Sequence, residues 1–166
     1  MVEISIFIDA NVFISYFNAA DENHLKAKKM MKDIFEEKKY GTPITSDYVF
    51  DEATTLCLLR TKSKKLALEL GDMIIGSIPL LNVSIPVFHM SWELFKKLKM
   101  SFTDCKNIIC DIFYGIGIMA TCDKEFKKIH NINPMDTSQE TICAVDRKAP
   151  KKAYFELLDH PDIIIP

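Results

Sequence analysis

Four carboxylates stand where a folded chain could put them to use: Asp9, Glu52, Asp104 and Asp123. Asp9 and Asp123 each follow a short apolar run, residues 4–8 and 118–122. Runs of that length and character read as buried strands, so each acid falls in the turn where a strand ends. Glu52 lies three residues after Val49 and four before Leu56, on the apolar stripe of a helical stretch. An acid on a core-facing stripe is costly unless it is paired or bound to a cation. Asp104 falls in the first turn of a helix opened by Ser101, Phe102 and Thr103. Taken singly, Asp104 suits a helix N-terminus and Asp123 suits a turn. Taken together on one rim, the four would repel one another and hold protons more tightly. A divalent cation removes that conflict. Mg²⁺ and Mn²⁺ favour oxygen ligands and retain several waters. Such a site can activate a water and stabilise the oxyanions of an in-line attack on a phosphodiester.

The elements that must position these acids can be read along the chain. Helices are expected over residues 12–18, with Asn11 as N-cap, and over 24–39, stopped by Tyr40-Gly41. A short strand at 43–46 precedes helices at 47–60 and 63–77. Residues 83–88 read as a strand that Pro86 confines to an end or an edge. Helices at 91–99 and 101–114 follow, the second broken by Gly115-Ile116-Gly117. Trp92, Phe95 and Leu98 share a spacing that places Trp92 in the core. After the strand at 118–122, a helical turn at 126–129 and a short strand from Ile132 are expected. Strands alternating with helices indicate a parallel sheet covered on both faces, joined by right-handed crossovers. Ligands of such sheets collect outside the carboxyl ends of the strands, where Asp9 and Asp123 would lie. The remainder differs: Thr137 and Glu140 suggest a capping box, a helix is expected at 151–158, and residues 163–165 are apolar. Residues 1–134 therefore read as one domain. Residues 135–166 read as an extension packed on it or used in self-association.

Composition sets the outer bounds. The chain of 166 residues is long enough for one domain with a sizeable core. A net charge of −2 offers no global attraction for nucleic acid but leaves local patches open. Arg60, Lys62, Lys64 and Lys65 form one such patch on the turn beyond the Glu52 helix and are the first choice for substrate contact. Further clusters occur at 96–99, 127–128 and 147–152. His24, His89, His130 and His160 show no ligand spacing. Cys57, Cys105, Cys110, Cys122 and Cys143 are odd in number and contain no C-x-x-C pair, as expected for reduced, buried thiols of a cytoplasmic protein. No signal-peptide pattern is read, and no apolar stretch reaches the ~18 residues of a membrane span.

The blocks Ile8-Asp9-Ala10-Asn11, Ser46-Asp47-Tyr48-Val49-Phe50-Asp51-Glu52, Ser101-Phe102-Thr103-Asp104 and Thr121-Cys122-Asp123 resemble, in order and spacing, the four signature blocks of PIN domains. They are most similar to the VapC-type toxin branch. The resemblance implies a three-layer α/β/α fold with a central, mainly parallel five-stranded sheet. It implies that the strands ending in Asp9 and Asp123 are neighbours. It further implies a Mg²⁺- or Mn²⁺-dependent endoribonuclease acting on single-stranded RNA, often a homodimer and often neutralised by an antitoxin protein. Asp9, Glu52, Asp104 and Asp123 match the family acids, and Asn11, Thr103 and Thr121 match its supporting polar positions. Asp111, seven residues after Asp104, lies ~10 Å further along the helix axis, too far to share one ion. Three alternatives stay open. One is an RNA-processing PIN nuclease without an antitoxin. Another is a phosphatase resembling haloacid dehalogenases, with Asp9 as nucleophile, although that family wants a second Asp where Asn11 stands. The last is a non-catalytic PIN scaffold.

Overall fold

The computed structural model describes residues 5–116, 118–123, 132–134 and 142–145, the last two stretches by backbone alone. Among them the elements run β1 (Ser5–Ile8), α1 (Ala10–Phe17), α2 (His24–Phe35), β2 (Thr42–Ser46), α3 (Asp47–Thr61) and α4 (Lys64–Ser77). They continue with β3 (Leu80–Leu81), α5 (Ile85–Lys97), α6 (Phe102–Phe113), β4 (Ile118–Ala120), β5 (Ile132–Pro134) and β6 (Ile142–Val145).

The strands form one sheet in the order β3-β2-β1-β4-β6-β5. β3, β2, β1 and β4 are parallel, with Phe7 opposite Ile44 on one side and Met119 on the other. β6 joins β4 antiparallel, Met119 facing Cys143, and β5 pairs antiparallel with β6. The sheet is thus mainly parallel, as expected, but has six strands rather than five. Four of them are parallel, and the edge beyond β4 is an antiparallel pair.

The strand order fixes the layers. Connections from β1 to β2 and from β2 to β3 step one way across the sheet, and the connection from β3 to β4 steps back. Right-handed crossovers then put α1 to α4 on one face and α5 with α6 on the other. The packing agrees: α1 contacts α2, α3 and α4, while α5 packs on α6. Ile6, Phe7 and Ile8 are fully buried, as a central strand covered on both faces requires. The direction of winding reverses between β1 and β4, so the crevice of this fold opens at their carboxyl ends.

Several local expectations are corrected. Residues 83–88 are not a strand. Helix α5 starts at Ile85 with Pro86 in its first turn, where the missing N–H costs nothing, and the true strand is the short β3 before it. That helix runs on to Lys97, absorbing the separate helix expected at 91–99. Its buried stripe is Val87, Ser91, Leu94 and Leu98, which turns Trp92 outward; Trp92 is 46% exposed and not a core residue. Helix α2 ends at Phe35, short of the expected stop. The turn at 126–129, the capping box of Thr137 and Glu140, the helix at 151–158 and the run at 163–165 lie outside the described residues. No helix among the described residues is long and apolar enough to cross a membrane.

Candidate active site

β1 delivers Asp9 directly onto the start of α1. Asp9, not Asn11, is the N-cap, its Oδ1 accepting from the Ala10 amide at 2.7 Å. It is 3% exposed and takes three more hydrogen bonds. Asn107 Nδ2 donates to Oδ1 at 2.9 Å, and Asn11 Nδ2 and the Thr121 hydroxyl donate to Oδ2, both at 2.8 Å. Asn11 is oriented in turn by the Cys122 amide, which donates to its Oδ1 at 2.8 Å. Thr121 Oγ1 also accepts from Asn11 Nδ2 at 3.1 Å and from the Asp123 amide at 3.0 Å. Asn11 and Thr121 thus bind β4's outgoing turn to the carboxylate at the end of β1.

Electrostatics decides how the other acids relate to Asp9. Burial, opposed by the Thr121 hydrogen bond, and then the charges of Asp104 and Glu52 raise the Asp9 carboxyl from 3.8 to about 7. Glu52, on α3 and half-buried, is raised by burial and then by Asp104, against the pull of Lys106 and Arg60. Asp9, Glu52 and Asp104 therefore feel one another across the ends of β1, α3 and α6. Asp104 sits in the first turn of α6, where the Ser101 hydroxyl donates to its Oδ2 at 2.7 Å and accepts from its amide at 3.1 Å. Ser101 is the N-cap of α6, and Thr103 stands half-buried in the same turn. Asp123 arrives at the end of β4, half-buried, in a cleft lined by Glu22, Asn23, Lys26 and Cys122. The charges acting most on Asp9 are those of Asp104 and Glu52, with Asp123 tied to the centre through its backbone.

Three groups of this centre escaped the sequence reading. Asn107 is fully buried, and it holds Asp9 while accepting from the Tyr48 hydroxyl at 2.7 Å. Tyr48, in the first turn of α3, so joins the two helices that carry Glu52 and Asp104. Lys106 places its Nζ 4.1 Å from the centre of the Tyr48 ring and is the cation acting most on Glu52. An Asn three residues after Asp104, entering the apolar run Ile108-Ile109-Cys110, is the available signal. Of the basic run, Arg60 reaches Glu52 electrostatically, at eight residues or ~12 Å along α3. Lys62, Lys64 and Lys65 are exposed beyond it. Asp111 is fully buried within α6. Cys57, Cys105 and Cys110 are buried free thiols.

The chain matches the PIN domain family over residues 6–132. It belongs to that family. The matched span contains all four acids and both neutral amides of the centre. Among solved structures, VapC20 of Mycobacterium tuberculosis, a sarcin-ricin loop cleaving toxin, is similar in fold. It aligns with a TM-score of 0.58 at 23% identity, over 68% of this chain and 85% of that one. No curated protein sequence matches the chain.

Proposed function

We propose that this PIN domain is a divalent-cation-dependent endoribonuclease cleaving single-stranded RNA, and that it is the toxin of a toxin–antitoxin pair. The observation carrying the reading is Asp9: a buried carboxylate held by four neutral donors, pressed by two further acids, at the crevice between β1 and β4. The solved structure of like fold is named a sarcin-ricin loop cleaving toxin, which supports RNA as substrate and a toxin's role.

The donor set fits Mg²⁺ or Mn²⁺. All candidate ligands are hard oxygens, and the acids raise one another's proton affinity, the imbalance a cation corrects. Among the described residues no three of His, Cys, Asp and Glu close a metal cage by themselves. An ion bound there would therefore need waters and phosphate oxygens to complete its shell. Asp9, Glu52, Asp104 and Asp123 would hold it. When bound, the ion lowers the pKa of a water and neutralises charge on the phosphate. Around it, Asn11, Asn107 and Thr121 keep the Asp9 carboxylate in one orientation, and Lys106 favours the ionised form of Glu52 against burial and Asp104. A cation reaching Asp9 directly must displace one of its four donors, since each oxygen already accepts two bonds. The same saturation weakens the phosphatase alternative, whose nucleophile needs a free lone pair on that carboxylate.

The test is cleavage of labelled single-stranded RNA in Mn²⁺ by wild type, Asp104→Asn and Glu52→Gln, with an EDTA control. Cleavage by wild type alone, abolished by EDTA, is expected. Equal cleavage by all three proteins, or cleavage in EDTA, refutes the assignment. Co-purification with a small partner that blocks cleavage tests the antitoxin arm, and a cleaving protein that no neighbouring gene product inhibits leaves an RNA-processing nuclease.

A further inference from the structure

Outside the acid centre, a group of part-exposed aromatic side chains in mutual contact lies on α5 and the start of α6. Phe102 stands with its ring centre 5.4 Å from Phe88, 5.9 Å from Trp92 and 5.8 Å from Phe95. Trp92 and Phe95 lie 5.6 Å apart and tilted by only 31°. Edge-to-face packing fixes these rings in place, yet Phe88 is 47% and Trp92 46% exposed. Apolar rings held open to water side by side are the kind of surface that marks a contact site.

Its position says what the contact is. Phe102 is two residues from Asp104. Lys106, one turn further on, lies 5.2 Å from the Phe102 ring centre and 4.1 Å from that of Tyr48, whose hydroxyl reaches the Asp9 network through Asn107. A continuous path of rings and one cation thus leads from Trp92 to the carboxylates. Along α5 and the start of α6 the sequence carries a net positive charge. Between Ile85 and Lys106 the chain carries Lys96, Lys97, Lys99 and Lys106 against Glu93 and Asp104, and Glu93 is paired with Lys96 at 2.6 Å. Aromatic faces beside cations are the two components that bind single-stranded nucleic acid without a fixed sequence.

We propose that Trp92 and Phe102, with Phe88 beside them, form a base-stacking platform for single-stranded RNA, and that Lys106 holds the phosphate between the platform and the acid centre. The proposal rests on the nuclease reading, and it names which side of the crevice the strand leaves by. Nucleotides flanking the scissile bond then stack on α5 and α6 while the bond itself lies at Asp104 and Glu52.

Trp92 is the protein's only tryptophan, so its fluorescence reports on the platform alone. Wild type in EDTA, where no cleavage is expected, is titrated with a short single-stranded oligoadenylate and with a duplex of the same length. Saturable quenching by the single strand and none by the duplex is expected. Trp92→Ala should weaken binding of labelled oligoadenylate about tenfold, and Trp92→Phe should retain most of it. Lys106→Ala should lower the salt dependence of binding by about one unit of slope. Quenching with no cleavage in Mn²⁺ leaves the platform standing and overturns the nuclease. Cleavage without quenching, and with unchanged affinity in Trp92→Ala, overturns the platform and leaves the nuclease. A concentration-dependent dimer that Trp92→Ala dissociates, with no quenching by RNA, assigns the face to a second copy of the chain and also overturns it.

Discussion

Without divalent cations, raising the pH should destabilise this fold through Asp9. An unfolded aspartate ionises near 3.8, whereas folded Asp9 keeps its proton up to about 7. Well below 3.8 both states are protonated and Asp9 contributes no pH dependence. Between these values the folded state binds more protons, so the unfolding free energy falls as pH rises. Above about 7 both states are ionised and the full cost of burying the charge is present. Moving a carboxyl from 3.8 to about 7 corresponds to roughly 4 kcal/mol, an order-of-magnitude figure. Glu52 is raised for the same reasons and adds to the fall. Asp9→Asn removes the titration and keeps the shape. Its new amide meets donors where an acceptor stood, a loss of about 1–3 kcal/mol that does not vary with pH. The variant's stability curve is therefore displaced downward at acid pH and flatter throughout. The assay is urea unfolding followed by far-UV circular dichroism in EDTA, in steps from acid to mildly alkaline pH, on both proteins. A wild-type curve no steeper than that of Asp9→Asn refutes the reasoning. It would mean that Asp9 is solvated or paired in a way the hydrogen-bond network does not contain.

Millimolar Mn²⁺ should raise the Tm of wild type by mass action, and Asp104→Asn should lose most of that increase; calorimetric melts with and without EDTA decide it. Asn107→Ala leaves Asp9 one donor short and deprives the Tyr48 hydroxyl of its short acceptor, and should cost about 2–3 kcal/mol in urea unfolding. Lys106→Met removes the cation that most lowers the Glu52 carboxyl, so the acid limb of a cleavage-rate profile should move to higher pH; an unmoved limb excludes Glu52 from the ionisations that govern the rate.

The acids were legible because each breaks a pattern. Asp9 and Asp123 interrupt apolar runs, and Glu52 sits on a stripe that ought to be apolar. Asp104 follows a serine cap at the spacing of a capping box, and Ser101 fills that role. Asn107 broke a pattern too, since Asn is a poor residue for a helix interior, but it carries no charge and stands beside Ile108, Ile109 and Cys110. Lys106 was one lysine among many until the ring of Tyr48 located it. The misread segment, residues 83–88, alternates polar and apolar residues over too short a span to separate period two from the stripe of Val87, Ser91, Leu94 and Leu98. Pro86 disfavours a central strand but is equally at home in the first turn of a helix, which is where it stands. The same error misplaced Trp92, because the stripe of Trp92, Phe95 and Leu98 is offset by one residue, ~100° of rotation, from the one α5 buries at its centre. The sixth strand was illegible for a different reason. β6 pairs antiparallel with β4 across a long separation, and no local signal in its residues reports such a partner.

Asp9 also bears on what kind of polar centre this is. Its four donors come from α1, from α6 and from the turn after β4, so the carboxylate ties three segments to the end of β1. A purely structural knot of that kind is better served by a neutral acceptor, or by an acid paired with a cation, because an unpaired buried charge is costly. The donors here are all neutral, and the cations nearest in effect, Lys106 and Arg60, act on Glu52 instead. Two further acids are then brought close enough to raise the cost at Asp9. A fold that needed only the knot would gain stability from losing any of the three charges. Their retention together follows if the missing positive charge is supplied from solution, and the carboxylates are held ready for it by amides and a hydroxyl that cannot neutralise them.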